Sequence, residues 1–173
     1  MISLLEALYS YTTTALAETP EEIFELTVGV RQGGPESPML YNLYMDFVMR
    51  IFMESCKQHK IKFLKLNYKI PASASTSKRE TAGVFTIDWC GYADDLSLCF
   101  DDEKSLKLGL VILNDTFKIY QLNVNAIKTK TMIFNQQHEN KRRYYPTSIA
   151  SINGKNLENV LGYRYLGCEI NAN

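Results

Sequence analysis

Apolar residues recur at helical spacing in two long stretches of the chain. The first runs from Ser37 to about Met53, and its predicted buried face consists of Leu40, Leu43, Tyr44, Phe47, Ile51 and Phe52. The second runs from about Asp102 to Gln121, and its predicted buried face consists of Leu106, Leu110, Leu113, Phe117 and Tyr120. Ser37 is the predicted N-cap of the first stretch, since Pro38 follows it at the first helical position. A shorter amphipathic helix is predicted from the N-terminus to about Thr12.

Extended segments alternate with these helices. Strands are predicted at IFELTVGV (Ile23 to Val30), IKFLKLNYKI (Ile61 to Ile70), VFTIDWC and LSLCF around Asp94, TMIFN, YYPTSIASING and YRYLGCEI. PASASTSKRETA, residues 71–82, is small and polar and is predicted to be a loop within the domain. The mixture predicts an α+β fold, with residues 1–173 forming a single layered domain.

Composition bounds the class of protein. The chain has 173 residues, of which 46% are hydrophobic, and no apolar run approaches the roughly 20 residues of a membrane span. The N-terminal stretch lacks the basic segment and small-residue cleavage site of a secretory signal. The four cysteines, Cys56, Cys90, Cys99 and Cys168, form no C-x-x-C pair, which argues against a zinc site. We therefore expect an intracellular protein, nuclear or cytoplasmic, that is not secreted and binds no membrane.

Charge is balanced overall but unevenly distributed. Residues 1–56 hold eight acidic and two basic residues, whereas residues 123–164 hold seven basic and two acidic ones. Within the basic region, KRRYY (residues 141–145) interleaves cations with aromatic rings. This segment fits a phosphate-binding patch or, equally well, a solvated hairpin edge protected by cations.

Two adjacent aspartates in GYADDLSLCF, residues 91–100, lie between two apolar runs, so the pattern predicts the bend of a β-hairpin. Like charges this close repel each other unless a cation lies between them. Mg²⁺ prefers oxygen ligands and commonly binds one or two carboxylates together with substrate phosphates. Asp94 and Asp95 are therefore candidate ligands for Mg²⁺, or for Mn²⁺ in its place. The alternative is a structural turn, because Asp is common at bends.

Four motifs, in order, resemble those of reverse transcriptases of the non-long-terminal-repeat (LINE-like) retrotransposons. They are GVRQGGPESPMLYNLY (Gly29 to Tyr44), YADD (Tyr92 to Asp95), the KTK element that begins at Lys128, and YLG (Tyr165 to Gly167). The family's spelling of the first of these four motifs is G-V-R-Q-G-C-P-L-S-P, so in this chain Gly34 replaces Cys and Glu36 replaces Leu. The resemblance covers nearly the whole chain and implies a polymerase palm: an antiparallel sheet with helices packed on one face.

The resemblance assigns expected roles around the hairpin. Asp94 and Asp95 would be the catalytic, metal-binding carboxylates, with Tyr92 and Ala93 beneath the primer terminus. Lys128 would neutralise or protonate the departing pyrophosphate. The alternative for Lys128 is an ordinary solvated lysine.

The resemblance also assigns expected roles to residues away from the hairpin. Arg31, Gln32 and Gly33 would contact the incoming nucleotide and template, and Tyr165, Leu166 and Gly167 would support the primer strand. The alternatives are an ordinary surface ion pair for Arg31, a plain strand-to-helix turn for Gln32 and Gly33, and a core-closing strand for Tyr165 to Gly167.

One departure concerns the family's first catalytic strand, F-x-D-x-x-x-A-F-D, which supplies another aspartate. No Asp precedes Asp46, and the five acidic residues before Gly29 are all glutamates. We therefore expect an incomplete palm that starts after the first catalytic motif and has no thumb. The expected partners are an RNA template, a DNA primer, deoxynucleoside triphosphates, and the fingers and thumb of the polymerase in cis or in trans.

The expected function is RNA-templated DNA synthesis by two-metal nucleotidyl transfer in the full-length context, with this chain inactive by itself. The alternative is a degenerate palm reused as a non-catalytic module that binds nucleic acid or protein. An open sheet edge would also favour self-association.

Overall fold

The structure, a computed structural model, describes residues 9–10, 13–15, 21, 23–25, 29–31, 33–69, 82–134 and 146–172. The chain divides into two units, Met1–Asp46 and Phe47–Asn173. Two long helices, α1 (Ser37–Gln58) and α2 (Glu103–Ile119), and antiparallel strand pairs confirm the α+β class. The prediction that residues 1–173 form a single domain stays a prediction. None of the described helices has the length and apolar character that a membrane crossing requires.

The first unit contains the antiparallel pair β1 (Thr13–Ala15) and β2 (Ile23–Glu25), with Thr13 opposite Glu25, and the start of α1. The predicted strand over Ile23 to Val30 is thus shorter, since Gly29 and Val30 lie outside it. The N-terminal helix predicted to Thr12 and the loop predicted at residues 71–82 fall mostly outside the described residues, and the KRRYY segment lies wholly outside them. Ala82, the last residue of the predicted loop, is the first residue of a strand.

The start of α1 differs from the prediction in its capping. The first helical hydrogen bond runs from the Leu40 N–H to the Glu36 carbonyl, so Glu36 precedes the helix and Ser37 is its first residue. The Ser37 hydroxyl donates to the Arg31 carbonyl at 2.6 Å instead of accepting from the helix. The prediction of Ser37 as the N-cap is therefore wrong, because its side chain is used to fold the preceding turn back onto itself.

The core of the second unit is formed by one face of each helix together with buried residues of the C-terminal segment, which are Ala150, Ile152, Leu157 and Ala172. On α1 the fully buried side chains are those of Val48, Met49, Phe52 and Cys56. On α2 the almost fully buried side chains are those of Leu110, Ile112, Leu113 and Phe117. The buried face predicted for α2 is largely confirmed. The face predicted for α1 is wrong in its first half, because Leu43, Tyr44 and Phe47 are exposed and the buried stripe begins at Val48.

The described strands form six two-stranded pairs. Besides β1 with β2, the antiparallel pairs are β3 (Leu64–Lys69) with β4 (Ala82–Ile87), β5 (Trp89–Tyr92) with β6 (Asp95–Leu98), β8 (Ser151–Ile152) with β9 (Lys155–Asn156), and β11 (Gly162–Tyr165) with β12 (Cys168–Asn171). β7 (Lys130–Thr131) and β10 (Glu158–Asn159) pair in parallel. Helix α2 packs against β8.

Two of the predicted strands belong to hairpins, and each predicted segment includes the turn. Within YYPTSIASING, residues Asn153 and Gly154 both have positive φ and form the turn between β8 and β9. Within YRYLGCEI, Leu166 and Gly167 both have positive φ and form the turn between β11 and β12. Two-residue turns with positive φ at both positions match the twist of antiparallel strands. The Asn-Gly pair was a sequence signal for the first hairpin, whereas leucine is rare in this conformation and provided no signal for the second.

Candidate active site

The β5–β6 hairpin carries the two aspartates at its tip. Tyr92 lies opposite Asp95, and Ala93 and Asp94 form the two-residue turn between them. Ala93 has a φ of +52°, in the left-handed region that costs a residue with a Cβ roughly 1–2 kcal/mol. Tyr92, Ala93, Asp94 and Asp95 are all exposed. The predicted bend is confirmed, and its residues project into solvent.

The carboxylates of Asp94 and Asp95 accept no hydrogen bond and form no ion pair with any described residue. Two other aspartates show what a structural role looks like here: Asp88 accepts from the Trp89 N–H at 2.8 Å, and Asp102 caps α2 by accepting from the Ser105 N–H at 2.7 Å. That capping bond is the main reason why the pKa of Asp102 is lowered. Neither hairpin carboxylate stabilises the turn in this manner.

Two exposed carboxylates on adjacent residues suit a magnesium ion that is shared with substrate phosphates, since such ions keep several ligands from water or substrate. The described residues contain no group of three or more His, Cys, Asp or Glu side chains that could enclose a metal. The donor set therefore fits an open Mg²⁺ or Mn²⁺ site and does not fit a closed protein cage.

Lys128 lies in a separate turn that Asn125 organises. The Asn125 side-chain oxygen accepts from the N–H groups of Ile127 and Lys128, and its carbonyl accepts from Thr129. Lys130, the second lysine of the KTK element, donates to Glu158 at 2.6 Å and to the Ile127 carbonyl. Within the described residues the ammonium of Lys128 has no such partner, so it is the lysine of this element that remains available to a phosphate.

Tyr165 is the point where the C-terminal hairpin meets the β5–β6 hairpin. Its hydroxyl lies 3.4 Å from the Cys90 carbonyl, 3.3 Å from the Asp95 carbonyl and 3.6 Å from the Cys90 Sγ. Burial, followed by the hydrogen bond with Cys90 and neighbouring charges, raises the pKa of Tyr165 to about 12. The phenol therefore keeps its proton, and remains a hydrogen-bond donor, throughout the physiological pH range. Sequence reasoning did not anticipate this contact.

Leu166 and Gly167 occupy the turn beside Tyr165 and not the interior of a strand, which corrects the core-closing alternative for these two residues. Leu166 has a φ of +47° and an exposed side chain. Strain of this kind persists where a surrounding structure or a function demands it.

Replacing Leu166 with asparagine should raise the free energy of unfolding by about 1 kcal/mol, because asparagine tolerates the left-handed conformation and little apolar burial is lost. Urea denaturation followed by circular dichroism measures the change. A matched Leu161→Asn variant alters a similarly exposed leucine, and its φ is not positive. Equal effects of the two substitutions would show that turn strain is not responsible.

The remaining predicted residues belong to the first unit. Gly33 has a φ of +85°, which favours glycine, and Arg31 is exposed with its carbonyl bonded to Gly34 and Ser37. Gln32 lies outside the described residues.

The two departures from the family spelling, Gly34 and Glu36, lie close together. A Cβ added at Gly34 would lie 2.8 Å from the Glu36 Oε1 and 2.6 Å from the Ser37 Oγ. The glutamate in turn accepts a hydrogen bond from Tyr9. The absence of a side chain at Gly34 thus leaves room for the side chains of Glu36 and Ser37.

The sequence profile described as reverse transcriptase (RNA-dependent DNA polymerase) matches residues 2–170. No curated protein matches the chain.

Proposed function

Because this chain belongs to the reverse transcriptase (RNA-dependent DNA polymerase) family, we propose that it is the palm of an RNA-directed DNA polymerase, with Asp94 and Asp95 as its metal-binding carboxylates. The observation that carries the proposal is the exposed hairpin tip, where two adjacent carboxylates have no partner among the described residues. Descent from non-long-terminal-repeat retrotransposons is part of the proposal and rests on the motif spellings. An intracellular location is also part of the proposal, because the four cysteines are free thiols.

Reverse transcriptases act on a nucleic-acid template and primer with deoxynucleoside triphosphates, and they use divalent metal ions. When bound, the ion lowers the cost of the charge that develops on the attacking and leaving oxygens. In the proposed roles Asp94 and Asp95 hold that ion, and Tyr92 and Ala93 support the primer terminus. The ammonium of Lys128, which is unpaired within the described part of the chain, stabilises negative charge on pyrophosphate.

Three residues of the first unit, Arg31, Gln32 and Gly33, are proposed to contact the nucleotide and the template. Leu166 and Gly167 are proposed to support the primer, and the strained, exposed leucine at the turn favours that role.

We also propose that the 173-residue chain is inactive by itself, since residues 1–45 contain no aspartate to complete the two-ion site. Fingers and thumb would then be supplied in cis or in trans. The chain tested alone with Mg²⁺, an RNA template and a DNA primer should give no templated extension. Extension that disappears in Asp94→Asn would show instead that another residue completes the site.

A hybrid enzyme tests the catalytic proposal directly. The chain would be joined to the F-x-D strand, fingers and thumb of an active reverse transcriptase in place of that enzyme's own palm segment. We expect template-dependent extension that falls about 10²- to 10³-fold in Asp94→Asn, as for other groups that stabilise transition-state charge. An Asp94→Asn hybrid that folds, binds primer–template and extends as well as the unsubstituted hybrid would refute the role of Asp94.

The second candidate is a degenerate palm that binds nucleic acid or protein without chemistry. It is favoured by the lack of a third acidic ligand near the hairpin among the described residues. Divalent ions discriminate between the two functions, because a non-catalytic module should bind a primer–template equally well with Mn²⁺ or with EDTA at matched ionic strength.

A further inference from the structure

We propose that Tyr165 is a positioning residue whose hydroxyl ties both strands of the β5–β6 hairpin to the C-terminal hairpin and thereby fixes the Asp94–Asp95 turn. The inference rests on the proposed function of the two aspartates. It assigns to the Tyr165 side chain a task different from contact with the primer.

The position of the Tyr165 hydroxyl provides this connection. Tyr165 is the last residue of β11, and its hydroxyl lies between the carbonyl of Cys90 on β5 and the carbonyl of Asp95 on β6, at 3.4 and 3.3 Å. Asp95 is itself one of the two proposed metal ligands. The Cys90 thiol, 3.6 Å away, can donate to the phenol oxygen while the phenol donates to a carbonyl, so the small network is satisfied in both directions.

The hairpin needs such a support at its tip. A lone two-stranded hairpin is marginally stable in water, and most residues of β5 and β6 near the turn are exposed. Its base is anchored by the Leu64 N–H, which donates to the Cys99 carbonyl, and by the stacked rings of Phe63 and Phe100. In the described part of the chain, Tyr165 is the one residue from outside 88–99 that hydrogen-bonds to residues 89–98.

The tie also links two functional segments. Tyr165 adjoins the Leu166–Gly167 turn, whose two positive φ values give the β11–β12 hairpin a fixed, tight end. A displacement of that turn therefore moves the phenol, and the phenol moves the backbone of Asp95. Positioning groups behind metal ligands commonly change metal affinity when they are removed.

Tyr165→Phe removes the hydroxyl and keeps the ring. The matched control is Tyr163→Phe, two residues earlier on β11, whose hydroxyl has no hydrogen-bond partner among the described residues. We expect Tyr165→Phe to speed amide hydrogen exchange at residues 90–96 about three- to tenfold, as the loss of one hydrogen bond implies. Mn²⁺ affinity, measured by electron paramagnetic resonance, should fall about tenfold. Tyr163→Phe should change neither quantity.

Three results would overturn the inference. Identical behaviour of the two phenylalanine variants would show that the hydroxyl is not a tie. Faster exchange with unchanged Mn²⁺ affinity would leave Tyr165 a structural residue only. If Asp94→Asn, Asp95→Asn binds Mn²⁺ as well as the parent does, the metal site itself fails, and that result separates failure of the proposed function from failure of the tie. If Tyr165→Phe lowers overall stability, the two phenylalanine variants are compared again in a Leu166→Asn background, in which the turn is expected to be more stable.

Discussion

The double substitution Asp94→Asn, Asp95→Asn is expected to abolish the stabilisation that this chain gains from Mn²⁺. An ion that binds only the folded state raises the free energy of unfolding by RT ln(1 + [L]/Kd). With two carboxylates in the site we expect a dissociation constant in the millimolar range, so about 10 mM Mn²⁺ should add on the order of 1 kcal/mol to the parent. Thermal or urea unfolding with and without Mn²⁺ measures the difference.

The same variant decides whether the aspartates have a structural role. Without metal it should be no less stable than the parent, because it relieves the repulsion of two like charges and breaks no hydrogen bond with the described residues. Asp88→Asn, Asp102→Asn is the matched control, since both of these carboxylates accept backbone hydrogen bonds. A metal-free loss of stability in the Asp94, Asp95 variant comparable to that control would mean that the hairpin carboxylates cap the turn.

Phe52→Ala should lower the free energy of unfolding by about 3–5 kcal/mol, the largest stability effect we expect from one substitution. Phe52 is completely buried on α1, beside Met49 and one helical turn before Cys56. Truncation of its ring removes apolar contact and leaves a cavity that rigid neighbours cannot fill. Chemical denaturation measures the loss, with Phe85→Ala, an exposed phenylalanine on β4, as the control.

The reactivity of the Cys56 thiol gives a second, chemical measurement of the loss of core packing in Phe52→Ala. Burial raises the pKa of its thiol to about 12, so in the parent it should stay unmodified by a thiol reagent at pH 8 while the exposed Cys90 and Cys168 react. In Phe52→Ala, peptide mapping should show modification of Cys56 at a rate set by opening of the core. Full protection of Cys56 in that variant would show that the core closes around the cavity.

Local chemistry determined much of this protein. The spacing of apolar residues predicted α2 to within two residues at either end, and Asp102 was placed at its start, where it caps the helix. Two apolar runs flanking adjacent aspartates predicted the β5–β6 hairpin, and four ordered motifs predicted the reverse transcriptase family. These features depend on residues close together in sequence, where periodicity and turn propensity act directly.

The local spacing of apolar residues did not predict the buried face where more than one face of a helix is apolar. In α1, both the Leu43–Phe47 side and the Val48–Phe52 side carry large apolar groups, and the packing selected the second. The same limit applied to Leu166, because no leucine propensity predicts a left-handed turn.

Tertiary structure alone decided which side chains around the candidate site have hydrogen-bond partners. The sequence offered two lysines in the KTK element, and only the partnership of Lys130 with Glu158, 28 residues away, left Lys128 available within the described part of the chain. The sequence likewise placed Tyr165 in a motif, but its hydroxyl meets Cys90 and Asp95 across separations of 75 and 70 residues. Such contacts depend on how whole elements pack. The local pattern of residues does not specify the distance between two strands that are separated in sequence by a helix.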